Sequence, residues 1–345
     1  MPRQLTAVDV GRAELQPVSI DALDPTALAI DLSLSAEKHG TTLPTFAGHR
    51  EGSSVTYDRD LALMRSVASE PDPFPFSLGN MGVGTAAAVG ADVEEFDVGE
   101  RVFGYLPIGD TVVVDQAARL WTAPPGVRDE ALVCVDPATV ALLACRYGSA
   151  RVGDRVAVIG LGSIGLLAVQ LCAQSGAIDI IGIDPISERR ELAEECGATS
   201  TVDPTAVDVG SVISTTYGDG GVDTTLETSG VYDALQEAVR ATCYGGTIVT
   251  VSYYHGDASV LDLAQEWHFN RQELIAGARV ESEPYREHPR WDRERVYETI
   301  LNLFAADRLL VDELLTPVPL TEAPAAYARL ADDPTDCVKL AVTYD

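Results

Sequence analysis

The chain has 345 residues, of which 46% are hydrophobic, and 53 acidic residues against 24 basic ones give it a formal charge of −29. This length and apolar content predict two packed domains with ordinary cores. The charge argues against nucleic acid and anionic membrane partners, and no apolar window has the length of a bilayer span. Since the N-terminus has no signal-peptide character, we expect a cytoplasmic protein.

Two details of the composition refine this expectation. Lys38 and Lys339 are the only lysines, and the acidic residues are spread along the whole chain. A dispersed acidic surface poor in lysine favours a halophilic host, whose high internal salt screens self-repulsion, over an ordinary acidic bacterial protein. The six cysteines include no C-x-x-C pair, so free thiols are expected rather than a disulfide framework or a zinc knuckle.

The predicted elements change character near residue 137. Residues 1–125 are predicted to be β-rich, because short apolar runs such as 27–32 and 111–114 are broken by Gly and Pro. Further along, the predicted helices are 138–147, 163–175, 186–196, 231–241, 293–306 and 323–330, and the predicted strands are 155–159, 178–183, 224–227, 247–251 and 338–343. Strands alternating with helices predict an α/β domain with a doubly wound parallel sheet.

A glycine-rich turn opens the predicted helix 163–175. Its G-x-G-x-x-G motif has glycines at Gly160, Gly162 and Gly165. Leu161 lies between the first two glycines, and Ser163 and Ile164 lie between the last two. The first glycine allows a tight turn, the second lets the backbone approach a pyrophosphate, and the third lets the helix pack close to the sheet. The start of the helix offers N–H groups and partial positive charge to phosphates, so a dinucleotide site is predicted.

An acidic residue on the next strand favours NAD as the cofactor. Asp184 lies 19 residues after Gly165, where a carboxylate accepts hydrogen bonds from the adenosine ribose hydroxyls and repels a 2′-phosphate. Arg189 and Arg190 weaken this preference, so NADP stays open. We also assign Ser229 and Arg189 to the cofactor site.

Two segments carry a resemblance to a known superfamily. The run VGADVEEFDVGERV at 89–102 and the glycine-rich run at 152–165 are similar to signatures of medium-chain dehydrogenases/reductases. The resemblance implies a Rossmann domain inserted into a GroES-like, β-rich catalytic domain. The implied boundaries are 1–136 for the first catalytic part, 137–292 for the Rossmann domain and 293–345 for the second catalytic part.

The C-terminal half resembles one subgroup more closely. Segments 266–271 and 322–327 are similar to bacteriochlorophyllide-type dehydrogenases and to sugar- or polyol-dehydrogenase-like proteins. This resemblance implies a small hydroxylated substrate. A homodimer is likewise implied by the resemblance to the superfamily.

Comparison with zinc-dependent members of the superfamily predicts that the catalytic zinc has been lost. Those members place Gly-His-Glu twenty residues before the glycine of their "GDRV" motif, and here Gly-Asn-Met stands at 79–81, at that spacing from Gly99. His39 replaces the first cysteine ligand, and the third ligand position falls at Asp136. Because an amide such as Asn80 is a weak ligand, a His, Asn, Asp set is a poor zinc site.

Without zinc, a side chain must accept the hydroxyl proton while the hydride leaves carbon. His39 is the predicted base, because it stands where the lost ligand would face the nicotinamide. The resemblance implies that Thr41 passes the proton, and Asp136 either orients His39 or acts on its own. A solvated loop histidine is the alternative interpretation of His39.

A second group of candidates follows the last predicted parallel strand, at an edge of the sheet where ligands collect. Tyr253 is predicted to contact the cofactor. The predicted substrate-contacting residues are Asn80, Tyr254, Trp267 and His268. The alternative for the aromatic residues is a packing cluster at the domain interface.

Together these features predict NAD-dependent oxidation of a secondary alcohol of sugar or polyol type, without zinc. Two alternatives remain: a zinc-free, NADPH-dependent enoyl or quinone reductase, and a catalytically silent nucleotide-binding protein. Thr41 and Asp184 favour alcohol oxidation.

Overall fold

The fold is described by a computed structural model that covers residues 1–20, 23–38, 40, 42–48, 55–66, 72–218, 220–254, 257–277, 280, 290–333, 335 and 337–344. The strands are β1 (Arg3–Asp9), β2 (Arg12–Pro17), β3 (Ala27–Ala36), β4 (Val55–Asp58), β5 (Leu63–Ser66), β6 (Phe76–Ser77), β7 (Met81–Val89), β8 (Arg101–Gly104), β9 (Thr111–Asp115), β10 (Leu120–Thr122), β11 (Arg155–Ile159), β12 (Asp179–Ile183), β13 (Ser200–Val202), β14 (Val222–Glu227), β15 (Thr242–Thr250), β16 (Glu273–Ala276), β17 (Leu315–Pro319) and β18 (Lys339–Thr343).

Helices connect many of these strands. They are α1 (Thr42–Phe46), α2 (Asp129–Leu132), α3 (Val135–Tyr147), α4 (Ser163–Ser175), α5 (Ser187–Glu195), α6 (Val209–Tyr217), α7 (Tyr232–Ala241), α8 (Glu266–Phe269), α9 (Arg293–Ala305) and α10 (Ala323–Asp332), with 3₁₀ turns at Asp312–Leu314 and Leu320–Glu322. None of the helices in the described ranges is long and apolar enough to span a membrane.

The chain forms two compact units, and the first combines Met1–Ala123 with Pro317–Asp345. Its larger sheet has the order β10-β8-β7-β3-β18-β17, and β9 also pairs with β3. Strand β3 alternates between inward apolar residues and exposed polar residues such as Asp31 and Ser33, as expected of a half-buried antiparallel strand. Leu28 and Ile30 pack in its core. The predicted β-rich domain is confirmed.

The second unit, Pro124–Thr316, contains a parallel sheet of six described strands in the order β13-β12-β11-β14-β15-β16. This is the Rossmann strand order, in which the first strands are added on one side of β11 and the later ones, from β14 onward, on its other side. Apolar residues fill β11, where Val156, Ala157 and Val158 are fully buried, as is typical of strands covered on both faces. The predicted doubly wound fold is confirmed.

The structural units divide at other residues than the sequence implied. Helices α3 and α9 both lie in the second unit, and they pack against each other. A helix joins the unit that buries its apolar face, and α3 buries Leu142 and Leu143 there. The predicted Rossmann domain at 137–292 already included most of α3 but ended before α9, because the pattern of predicted elements carries no sign that α9 packs against α3.

Candidate functional site

The turn between β11 and α4 depends on two glycines. Gly160 has a φ of +88°, and a Cβ added to it would lie 2.8 Å from the backbone nitrogen of Ser229. A Cβ on Gly165 would lie 1.9 Å from the carbonyl oxygen of Gly160, closer than any real contact. The start of α4 therefore packs tightly against the end of β11, as the motif predicted.

Gly162 differs from the other two glycines because the space beside it is open. A Cβ added there would meet no heavy atom within 4 Å. Gly162 caps α4 without a side-chain hydrogen bond, and Ser163 and Ile164 form the half-buried first turn of this 13-residue helix. Backbone N–H groups and partial positive charge at this end of the helix suit a pyrophosphate lying against Gly162.

The carboxylate of Asp184 is already fixed at the end of β12. It accepts a hydrogen bond from the Leu161 N–H at 2.8 Å and another from the Ile186 N–H at 2.9 Å. The residue is only 4% exposed. Each carboxylate oxygen has a further lone pair, so Asp184 can still accept from ribose hydroxyls.

The two arginines that follow Asp184 differ in their surroundings. Arg190 donates to the carbonyl oxygen of Asp184 at 2.6 Å and lies 3.4 Å from the carboxylate of Asp203. Arg189 is half-buried on the same helix, α5. Because Arg190 is held by these two partners, it is not freely available to bind a 2′-phosphate.

Glu227, which the sequence analysis did not single out, is a buried carboxylate at the end of β14. It accepts hydrogen bonds from the Ser229 N–H at 2.7 Å, from the Ser229 hydroxyl, and from the Gly230 N–H at 3.2 Å. The Tyr254 hydroxyl also donates to it. Burial raises the pKa of Glu227 even though these donors oppose the shift. The only cue in the sequence was an acidic residue at the end of a predicted strand of the parallel sheet.

Ser229 and Tyr254 are therefore brought together near the predicted pyrophosphate turn. Thr228 adds a further contact, since its hydroxyl donates to the carbonyl oxygen of Gly160 at 2.5 Å. Tyr253 is 69% exposed in the loop that follows β15. These residues occupy the carboxyl edge of the parallel sheet, where doubly wound folds bind their ligands.

Trp267 and His268 lie elsewhere, so their assignment to the substrate is corrected. They belong to α8, which directly precedes β16, and β16 runs parallel to β15. The next residues contact the start of β15, since the Gly245 N–H donates to the carbonyl of Asn270 at 2.7 Å. Helix α8 therefore lies at the amino edge of the sheet, opposite the edge that holds Glu227.

The remaining candidates lie in different units. Asn80 is buried immediately before β7, and its N–H donates to the carbonyl of Ala36 at 2.9 Å. Asp136 is buried in the first turn of α3, where its carbonyl accepts from the Thr139 hydroxyl at 2.8 Å. His39 and Thr41 lie outside the described residues.

The metal-ligating side chains of the described residues, which do not include His39, do not form a cluster. Among them, no group of three or more His, Cys, Asp and Glu side chains is arranged to hold a metal. All six cysteines are free, as expected, and five of them are buried. At the second ligand position predicted from the motif, the side chain is the amide of Asn80.

Comparisons with known proteins agree with this geometry. The model of the family described as zinc-binding dehydrogenase matches residues 163–290. D-guloside 3-dehydrogenase of Escherichia coli strain K12 is 36% identical over 327 residues, covering 91% of this chain and 92% of that protein.

Two solved structures share the fold across the chain. The 2R,3R-butanediol dehydrogenase of Bacillus subtilis superposes with a TM-score of 0.77 at 23% identity and 100% coverage of both chains. A zinc-binding dehydrogenase from Sinorhizobium meliloti 1021, bound to NADP, superposes with a TM-score of 0.78 at 22% identity and 99% coverage of both.

A parallel sheet with this glycine turn is typical of dinucleotide-binding domains. The chain belongs to the medium-chain dehydrogenase/reductase superfamily, among the alcohol dehydrogenase-like enzymes, and is an NAD(P)-dependent dehydrogenase that acts on CH–OH groups.

Two alanine substitutions separate the roles of the glycines. Gly162→Ala should cause little change in melting temperature, because its methyl group would meet no protein atom within 4 Å. It should weaken NADH binding about tenfold or more, because the methyl group would enter the space predicted for the pyrophosphate. Gly165→Ala should lower the melting temperature, because its methyl group would meet the Gly160 carbonyl. Fluorescence titration with NADH and thermal unfolding measure both effects. Wild-type affinity in Gly162→Ala would place the pyrophosphate elsewhere.

Proposed function

We propose that this enzyme oxidises a secondary hydroxyl group of a sugar or polyol with NAD, without a catalytic zinc ion. The observation that carries the proposal is the 36% identity to D-guloside 3-dehydrogenase, which extends over 91% of this chain. A sugar substrate presents several secondary hydroxyls, and a dehydrogenase selects one by positioning it against the cofactor.

The zinc-free part of the proposal rests on the donor set. The resemblance to zinc-dependent members implies that His39, Asn80 and Asp136 stand at the zinc-ligand positions, and an amide oxygen is a weak ligand for zinc. A bound nicotinamide would supply the acceptor for the hydride that leaves the carbinol carbon. His39 accepts the hydroxyl proton, so that the C–H and O–H bonds break and a carbonyl forms.

The preference for NAD rests on Asp184. Its carboxylate is oriented by two backbone N–H groups at the end of β12, where a ribose is bound in this fold. A 2′-phosphate at that place would meet a buried negative charge, and Arg190 is held by Asp203 and the Asp184 carbonyl. Both features support NAD over NADP.

A histidine pair tests the proposed reaction. His39→Ala should lower turnover of a sugar or polyol about a hundredfold or more, the usual contribution of a general base, while NADH affinity is kept. His268→Ala is the matched control, because His268 lies at the amino edge of the sheet, and it should keep full turnover. Turnover is measured by NADH absorbance over a panel of sugars, polyols and simple alcohols.

Three results would contradict the proposal. Full turnover in His39→Ala removes that residue from the reaction. Stoichiometric zinc in the purified protein, measured by elemental analysis, contradicts zinc-free catalysis. NADPH-dependent reduction of an enone or quinone without oxidation of any alcohol indicates the reductase alternative, and binding without any turnover indicates a silent nucleotide-binding protein.

An acid-to-amide substitution tests the choice of cofactor. Asp184→Asn should weaken NADH binding roughly ten- to a hundredfold, because hydrogen bonds to a charged acceptor contribute about 1.5–3 kcal/mol. The variant should also lose most of its discrimination against NADPH. Asp179→Asn, at the other end of β12, is the control and should bind like the wild type. Equal NADH and NADPH affinities in the wild type would contradict the NAD preference.

We also propose that the enzyme is a homodimer joined through β16. This strand is an edge of the parallel sheet within the described residues, and Leu274 on it and Phe269 just before it are exposed. Unpaired strand edges readily pair with a second copy. Sedimentation in high potassium chloride, which screens the charge of −29, should show a dimer, and Leu274→Asp should shift it toward monomer. A monomeric wild type would contradict this assembly.

A further inference from the structure

Two loops of the second unit approach each other at the carboxyl edge of the parallel sheet. Loop 228–231 follows β14, and loop 251–254 follows β15. The Ser252 hydroxyl donates to the carbonyl of Thr228 at 2.6 Å. A Cβ on Gly230 would lie 2.9 Å from the carbonyl oxygen of Tyr253. Neighbouring parts of the two loops are therefore in contact.

Glu227 and Tyr254 join these loops through their side chains. One carboxylate oxygen of Glu227 accepts from the Tyr254 hydroxyl, while the carboxylate also accepts from the N–H groups of Ser229 and Gly230. The ring centroid of Tyr254 lies 5.1 Å from the ring centroid of Tyr232, the first residue of α7. The pair thus connects the end of β14, the start of α7 and the loop after β15.

The position of the pair relates it to one half of the cofactor. A Rossmann sheet consists of two mononucleotide-binding halves that meet where the strand order reverses. Strands β11, β12 and β13 form the half that carries the glycine turn and the ribose carboxylate of Asp184. Strands β14, β15 and β16 form the other half, which receives the nicotinamide mononucleotide.

We propose that Glu227 and Tyr254 form a latch that positions loops 228–231 and 251–254 for the nicotinamide half of the cofactor. They are positioning residues that act through the backbone of the two loops. The inference rests on the proposed dehydrogenase function of the same site, and it assigns the pair to one half of the dinucleotide.

The hydrogen bonds of the latch suit an ionised carboxylate. Each described partner donates to the Glu227 carboxylate, and two of these partners are backbone N–H groups, which cannot accept a proton in return. Burial, followed by the charge of Glu227, raises the pKa of Tyr254, so its hydroxyl keeps the proton that it donates. The donor and the acceptor are therefore fixed in their roles.

A comparison of two ligands tests the latch. Tyr254→Phe keeps the ring and removes the hydroxyl, so it should raise the dissociation constant of the reduced dinucleotide about fivefold or more. The dissociation constant of ADP-ribose, which lacks the nicotinamide, should stay unchanged. The fluorescence change of the bound dihydronicotinamide should also diminish. Measuring the ratio of the two constants within each variant cancels any loss of folded protein.

Tyr244→Phe is the matched control, because Tyr244 is an exposed residue in the first part of β15, at the amino edge, where its hydroxyl accepts from Arg271 at 3.4 Å. It should bind both ligands like the wild type. The experiment uses whichever of NADH and NADPH the wild type binds more tightly, so an error in the NAD preference leaves the test of the latch intact. Failure of the wild type to bind either dinucleotide would instead overturn the dehydrogenase function together with the latch.

A double-mutant cycle completes the test. Glu227→Gln should raise the same ratio of dissociation constants, and the double variant should raise it no further than the larger single effect, because both changes break one contact. Independent, multiplying effects would overturn the pairing. Equal weakening of the dinucleotide and ADP-ribose in Tyr254→Phe, or no weakening of either, would overturn the assignment to the nicotinamide half.

Discussion

The close approach of the first turn of α4 to the end of β11 is the constraint on which the cofactor site depends. At Gly165 there is no room for a side chain, because the carbonyl of Gly160 occupies that space. This contact places the start of a 13-residue helix next to the point where the sheet reverses its strand order. From there Asp184 lies on the β12 side of the sheet, and Glu227 and Tyr254 lie on the β14 side.

Elements bounded by strong local signals could be predicted from the sequence to the residue. Strand β11 and helix α4 agree with the prediction at both ends, because Gly160 and Gly162 separate them and Gly176 adopts the left-handed conformation that ends the helix. Helix α6 was not predicted. It contains Val, Ile and Thr, whose branched side chains favour strands over helices.

The parts of the candidate site that could not be predicted depend on direction and long-range packing. Trp267 follows Tyr254 by 13 residues, and the chain must return to the amino edge before β16 can run parallel to β15. The role of Glu227 depends on a hydroxyl 27 residues later in the chain, and no local pattern shows that contact. The short separation in sequence therefore led to the prediction that Trp267 lies at the carboxyl edge, whereas it lies at the amino edge. It also gave no indication that Glu227 contacts Tyr254.

The net charge of −29 has a kinetic consequence for a cofactor that binds in the open space beside Gly162. A dinucleotide carries a negative pyrophosphate, so the net charge of the chain repels it at long range, while the N–H groups at the start of α4 attract it at short range. Salt shortens the range of the repulsion to a few ångströms and leaves the direct hydrogen bonds in place. Cofactor association with this enzyme should therefore accelerate as ionic strength rises, the reverse of the behaviour of enzymes that steer anions with a basic surface.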